Sequence, residues 1–368
     1  MHILVTADTV GGVWQYTREL VMGLIARGEK VTLVSFGEIP TEQQVAWMEG
    51  LTALDFRPTA FKLEWMQESE EDLHASAEYL KGIIEEVKPD LLHFSQYFYG
   101  SLECDLPRIV VAHSDVVSWW MAVHGTGPKD GQWIRQYRMS VSRGLAGANA
   151  VVAPSQWMLD QVRKHYLAPK MGSVIYNGRS PQLFNPHLSK DDFAVSVGRI
   201  WDFGKNAALL TRVASPVPVH LAGSTQNPDT VVTSAGTVQS STSRLLFKGV
   251  LTEVQLQHLY ARAAMYLATS RYEPFGLAPV EAALSRCAIV ASDIPSFREI
   301  WGKAAFYFQN NSAQDLERAL RELHRDPELR ATYAKMAYDR ARQRFTSDRM
   351  VDDYVGLYRT MVPMGVSA

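Results

Sequence analysis

The sequence predicts an α/β protein made of two doubly wound, Rossmann-like domains, each with a parallel sheet covered by helices on both faces. Three observations carry that expectation. The chain has 368 residues, more than one hydrophobic core serves, and chains of this size divide into domains. Short apolar runs alternate with helical periodicity from end to end, the pattern of strands joined by crossover helices. A segment rich in Asn, Gly and Pro, VIYNGRSPQLFNPH at 174–187, interrupts the series once, as a hinge does.

The elements follow in order. HILVTA (2–7) is an apolar strand, DTVGG a glycine turn, and VWQYTRELVMGLIARG a helix with Val13, Thr17, Leu20, Val21, Leu24 and Ile25 on one face. Gly28 suits its C-terminal cap, and KVTLVSF (30–36) returns as the next strand of a βαβ unit. Further strands read at 91–94, 108–113 and 150–155, with helices over 72–87 and 132–147. A second series has strands at 193–198, 217–223, 245–249, 265–270, 288–292 and 304–308. Thr252 and Gln255 have capping-box spacing. Two helices divide near Asp326-Pro327, and an amphipathic segment, SDRMVDDYVGLYRTMV, closes the chain. The expected domains are 1–170, completed by 347–368, and 171–346. They are expected to face each other across a cleft, with ligands at the carboxyl ends of the strands.

Composition excludes several classes. Hydrophobic residues make up 46%, charged residues 21%, and net charge is −2, so nothing global argues for nucleic acid. Cys104 and Cys287 are the only cysteines, too few for a disulfide framework, which suits a reducing compartment. No signal peptide pattern opens the chain, and no apolar run nears the roughly 18 residues that span a membrane. A cytoplasmic protein is expected. Residues 129–170 carry seven cations against Asp130 and Asp160. That balance raises peripheral contact with the inner membrane face beside the plainer reading of a solvated helix face. Trp119, Trp120 and Trp133 in 116–133 either stack on an acceptor or pack.

Four strand-end loops hold the residues with chemistry. In TADTVGGVW, Gly11 and Gly12 sit where a strand turns into a helix. That place favours an anion, or is simply a tight turn. The adjacent glycines do not make the spaced dinucleotide fingerprint. His113 ends the strand of RIVVAHSD, either to stabilise charge, to bond a substrate hydroxyl, or to serve the fold alone. In VSVGRIWDFGKN, Arg199 and Lys205 bracket a strand-to-helix loop. A guanidinium fork and an ammonium point charge suit a diphosphate, with Asp202 placed to neutralise one of them in part. In SRYEPFGLAPVEAALSRCAIVASDIP, Glu273 lies before a helix start and Glu281 inside the helix. The amides of Phe275, Gly276 and Leu277 then form its N-terminus. No Asp-x-Asp ends a strand, and no His or Cys has metal-ligand spacing, so no metal and no cofactor is expected.

These segments together resemble the retaining glycosyltransferases of the GT-B fold, family 4, also described as glycosyl transferases group 1. The resemblance runs through EPFGLAPVE, VGRIWDFGKN, VIYNG, TVGGVWQYTREL and the closing RFTSDRMVDDYVGLYRTMV, in the family's order and over nearly the whole chain. It implies a C-terminal helix that crosses back onto the first domain. It also implies metal-independent transfer, with retention, of a sugar from a nucleotide-diphosphate sugar to an acceptor hydroxyl, the acceptor being a glycan, a lipid-linked sugar or a small glycoside. Arg199 and Lys205 would hold the diphosphate, Glu273 the donor sugar, and Glu281 the ribose. Gly11 and Gly12 would approach the phosphates, and His113 would stand beside sugar and acceptor. The base would rest near Lys248, Gly249 and Val250, and Asn177 would belong to the hinge. One departure is His113-Ser114-Asp115, where many relatives have His-Asp. Other readings are a nucleotide-sugar epimerase, a sugar phosphorylase, which would need a Schiff-base lysine, and a binding protein without catalysis.

Overall fold

The computed structural model describes residues 1–226 and 244–362 and shows two parallel-sheet α/β units. The first unit holds residues 1–120, 126–177 and the chain from 347 onward, and the second holds 121–125 and 178–346. Most of the loop 224–244, which bears no motif, lies outside the described residues.

The first sheet contains β1 (His2–Asp8), β2 (Lys30–Phe36), β3 (Leu54–Pro58), β4 (Leu91–Phe94), β5 (Arg108–Val111), β6 (Ala150–Ala153) and β7 (Gly172–Val174), ordered β3-β2-β1-β4-β5-β6-β7. Its helices are α1 (Gly12–Ala26), α2 (Glu42–Val45), α3 (Glu70–Val87), α4 (Val116–His124), α5 (Gln132–Gly147) and α6 (Gln156–His165). The second sheet contains β8 (Asp191–Val197), β9 (Val219–Ala222), β10 (Leu245–Gly249), β11 (Ala263–Ala268), β12 (Ala288–Ser292) and β13 (Phe306–Phe308), ordered β10-β9-β8-β11-β12-β13. Its helices are α7 (Glu253–Arg262), α8 (Leu277–Leu284), α9 (Pro295–Trp301), α10 (Ala313–Arg325) and α11 (Pro327–Arg344). The last helix, α12 (Ser347–Met361), returns to the first unit.

Strand alternation builds two core layers on the first sheet. Ile3, Val5, Leu33 and Val111 face α1 and α12 through Leu20, Leu24, Val351 and Tyr358. Leu4, Val34, Val110 and Val151 face α3, α5 and α6 through Leu80, Val141 and Leu159. α12 sits close on α1 because residue 23 is glycine, where a Cβ would lie 2.5 Å from Val351 Cγ2. Beneath α12, the buried His93 ring joins two phenols, with Nε2 3.0 Å from Tyr16 Oη and Nδ1 2.6 Å from Tyr358 Oη.

The structure differs from the sequence reading in two respects and decides a third. The first domain runs past residue 170 to Asn177, because β7 pairs with β6 in the first sheet. β3 and β7 are strands that the sequence reading left out, and 116–124 forms α4. Trp133 packs: it stacks with Tyr137 at 6.0 Å, and its Nε1 donates to Met66 O at 3.2 Å. Gly28 has φ +80 just beyond α1 and donates to Ile25 O, as a capping glycine does. The capping box Thr252/Gln255 and the break at Asp326-Pro327 stand as read.

Candidate active site

Strand order selects the place. In the second sheet the order reverses between β8 and β11, and ligands of doubly wound sheets bind at such a reversal, outside the carboxyl ends. The loops leaving those two strands are 198–206 and 269–276. They bring Gly198, Arg199, Lys205, Glu273, Gly276 and Leu277 around one recess.

The first loop is tied down by its own aspartate. Asp202, 5% exposed, accepts from Arg199 Nη2 at 2.7 Å and from Gly204 N at 2.8 Å. The Arg199 guanidinium also lies 5.2 Å from the Trp201 ring. Asn206 takes a left-handed conformation (φ +53) and donates to Thr269 O, while Thr269 Oγ1 donates to Lys205 O at 2.9 Å. These bonds lock the two loops together. Gly223 makes room behind them: with φ +142, a Cβ there would fall 1.7 Å from Gly198 O.

In the second loop, Glu273 is buried and accepts from Lys205 Nζ at 2.6 Å and Ser270 Oγ at 3.1 Å. Gly276 caps α8 with φ +93, and a Cβ there would press on Glu273 Cγ and Pro279 Cγ at 3.2 Å. Phe275 turns its ring inward, edge-on to Phe345 at 5.4 Å, so only its backbone serves the helix start. The recess thus presents two cations, a helix N-terminus and the Glu273 carboxylate that pairs with Lys205, with Asp202 pairing Arg199 from behind. Such a surface suits a diphosphate attached to a hydroxyl-bearing group.

Glu281 is not among the residues that line this recess. It stands further along α8 and makes an ion pair with Arg179, Nε to Oε1 at 2.9 Å. Gly249 and Val250 end β10; Gly249 has φ +66 and Val250 is 76% exposed. Asn177 is buried at the chain's passage to the second unit.

In the first unit, Gly11 (φ +80) caps α1, and both Gly11 and Gly12 are exposed. One turn later, Tyr16 meets the His113 ring edge-on at 4.6 Å. Burial lowers His113 from 6.5 to about 3, so the ring is neutral and offers hydrogen bonds rather than charge. The same cause, with His113 adding to it, lowers His93 to about 3. Burial raises Glu64 to about 7 even though its carboxylate accepts from Tyr97 N and Phe98 N. Asp115 is occupied by the fold: it caps α4 through Ser118 N at 2.8 Å and accepts from Tyr166 Oη at 2.8 Å.

Sequence reading did not single out Arg179, Ser270, Thr269 or Asn206. Arg179 alone left a trace, a cation placed directly after Asn-Gly in the hinge. Among the described residues, no group of three or more His, Cys, Asp or Glu is arranged to hold a metal, and no helix is long and apolar enough to cross a membrane.

Comparison with known proteins supplies the family. Residues 10–183 match the family model Glycosyltransferase Family 4, and residues 185–340 match Glycosyl transferases group 1. The alpha-maltose-1-phosphate synthase of Mycobacterium tuberculosis is 27% identical over 289 residues, covering 69% of this chain and 73% of that protein. The O-antigen chain mannosyltransferase C of Escherichia coli is 23% identical over 388 residues, 98% of each. Sucrose-phosphate synthase from Thermosynechococcus elongatus shares the fold at a TM-score of 0.80, with 19% identity and 98% of both chains covered. Anabaena HepE in complex with UDP-glucose does so at 0.73, with 18% identity, over 98% of this chain and 100% of its own. The chain belongs to the GT-B glycosyltransferases that join a family 4 domain to a group 1 domain, and it is a glycosyltransferase.

Proposed function

We propose that the enzyme moves a hexose from a nucleoside-diphosphate sugar to an acceptor hydroxyl, with retention and without a metal. One observation carries this reading: Arg199, Lys205 and the start of α8 converge at the reversal of the second sheet, beside the buried Glu273. The bond from the anomeric carbon to the leaving phosphate oxygen breaks, the acceptor oxygen bonds to that carbon, and its proton passes to the departing diphosphate. Negative charge grows on the leaving oxygen, where preset cations act most strongly. Binding draws Lys205 from Glu273 toward phosphate and turns the carboxylate to sugar hydroxyls. Glu281 takes the ribose, Gly249 and Val250 the base. Gly11 and Gly12 lend amides to phosphate, His113 lends a neutral hydrogen bond to a hydroxyl, and Asn177 belongs to the hinge. HepE, which is bound to UDP-glucose, and the relatives named mannosyltransferases support a nucleotide-sugar donor. Retention rests on the likeness of EPFGLAPVE to the retaining family.

A thermal-shift screen with UDP, GDP and ADP tests this. A nucleotide at 100 times its dissociation constant stabilises by about 2.7 kcal/mol. Arg199→Ala should remove the shift while the unliganded melting point stays within a few degrees. A folded protein that answers none of the three, or an Arg199→Ala enzyme with normal turnover, overturns the reading.

The basic segment 129–170 raises a second proposal, peripheral contact with an anionic membrane, beside the plainer reading of a solvated helix face. Arg135 and Arg163 are paired with Asp130 and Asp160, while Arg138 of α5 and Lys164 of α6 lie close enough to His165 to act on it, with Asp115 opposing them. Met139 and Leu167 are 48% and 58% exposed. Co-sedimentation with phosphatidylglycerol vesicles should occur at low salt and vanish at high salt. Binding indifferent to both lipid charge and salt removes this contact from the proposal.

A further inference from the structure

Arg179 follows Asn177-Gly178 at the entry to the second unit, and its side chain is 1% exposed. A guanidinium keeps its proton under all ordinary conditions, so burying one demands paired anions. Two glutamates from separate helices supply them. Nη2 lies 2.8 Å from Glu253 Oε1 at the start of α7, and Nε lies 2.9 Å from Glu281 Oε1 on α8. The second contact is an ion pair without hydrogen-bond alignment. The Phe184 ring, 5.7 Å away, covers the guanidinium. The backbone is fixed too, since Arg179 N donates to Phe345 O at 3.0 Å and Arg179 bridges Thr346.

The carboxylate of Glu281 is the more enclosed of the two, 11% exposed against 29% for Glu253. Two buried phenols feel its charge: burial first, and Glu281 after it, hold Tyr260 protonated, while burial and the charges of Glu273 and Glu281 hold Tyr266 so. A carboxylate so enclosed stays charged and aimed only with a cation beside it. We propose that Arg179 is a positioning residue for the donor, holding Glu281 as an ionised, oriented acceptor for the adjacent hydroxyls of a ribose. This rests on the reading of Glu281 as the ribose ligand. Arg179 itself touches no reacting atom. Its effect should therefore appear in donor affinity, with the chemical step left nearly as it was.

Steady-state kinetics with the donor varied, and calorimetry with the matching nucleoside diphosphate, test both layers. Glu281→Gln should raise the donor KM and the nucleotide Kd about 10- to 100-fold, the range of a charge-assisted contact. Arg179→Met should reproduce that rise with kcat within about threefold, and Arg179→Lys should recover part of it. Combining Arg179→Met with Glu281→Gln should add little, because both changes remove one function. If Arg179→Met fails to fold, pairing it with Glu253→Gln removes the stranded second carboxylate, and the KM and Kd are read on that double variant against Glu253→Gln alone. A Glu281→Gln enzyme with unchanged KM and Kd sinks the ribose reading itself. A Glu281→Gln enzyme with weakened binding beside Arg179 variants of normal affinity sinks only the positioning role. Arg179 variants whose kcat falls with their melting point, at constant KM, show a structural residue and overturn the proposal.

Discussion

Removing the Lys205 ammonium should damage the enzyme through two additive causes, and the structure lets them be separated. In the resting recess, Arg199 is neutralised by Asp202 at 2.7 Å and Lys205 by Glu273 at 2.6 Å. On the proposed reading, Lys205→Met removes a charge-assisted contact to the diphosphate, about 1.5–3 kcal/mol. It also leaves the enclosed Glu273 charge facing the incoming anion, with Ser270 as a neutral donor. Two like charges about 4 Å apart at a partly exposed site repel by up to about 4 kcal/mol, and screening reduces that to about 1–3 kcal/mol. Together the loss is about 3–6 kcal/mol, or roughly 10²–10⁴ in kcat/KM. The assay is a double-mutant cycle with Glu273→Gln, reading kcat/KM for the donor. The double variant should lose less than the two single losses combined, by at least about 1 kcal/mol. Strict additivity would show that the ion pair plays no part in donor binding. A Lys205→Met enzyme within about threefold of wild type would remove the ammonium from the diphosphate site.

Gly223→Ala should destabilise the second unit by about 2–4 kcal/mol in urea unfolding, since the new Cβ meets the Gly198 carbonyl at a backbone angle that side chains rarely adopt. Gly28→Ala, with φ +80 and nothing within 4 Å, should lose only about 1 kcal/mol; equal losses would refute the close-approach argument. Acid should weaken the fold. The folded histidines 93 and 113 titrate at about 3 instead of 6.5, so between those values the unfolded chain binds the extra protons and stability falls as pH falls. Glu64, raised from 4.5 to about 7, acts in the opposite sense, losing stability as pH rises through that window. The lowered histidines, His2, His165 and His220 among them, outnumber it, so the net effect is a fold that weakens as pH falls below the ordinary histidine value. Urea melts should show His93→Gln flattening that pH dependence and Glu64→Gln steepening it; the reverse order would contradict the burial argument.

What the sequence made legible follows from local physics. Central strands are buried on both faces, so HILVTA, KVTLVSF and AIVAS announce themselves as apolar runs. β3 and β7 lie at the two edges of the first sheet, half-buried, and LDFRP and GSV carry the Pro and Gly that central strands disfavour. α4 hides because VVSWWMAVH is apolar nearly all round and shows no period. That Arg199, Lys205 and Glu273 come together was readable because chain polarity puts strand-end loops on one side of a parallel sheet. Arg179 was not, because a buried cation is explained only by partners that lie far along the chain. The neutral state of His113 likewise depends on the Tyr16 ring and on burial.

The bridge between Arg179 and Thr346 also bears on how this chain can be cut and rejoined. Both chain ends belong to the first unit, and residues 178–346 enter and leave the second unit at neighbouring points, where Arg179 N donates to Phe345 O. The second unit is topologically a cassette. The ends of its main segment, 178–346, already meet, so moving that segment between relatives would leave no distant termini to be closed. The first unit has no such freedom: deleting α12 strips Tyr358 from His93 and Val351 from Gly23, and exposes the face of α1 that they cover. On the proposed reading, in which the second unit holds the donor, exchange of donor specificity should therefore be simplest by swapping residues 178–346 at this paired junction.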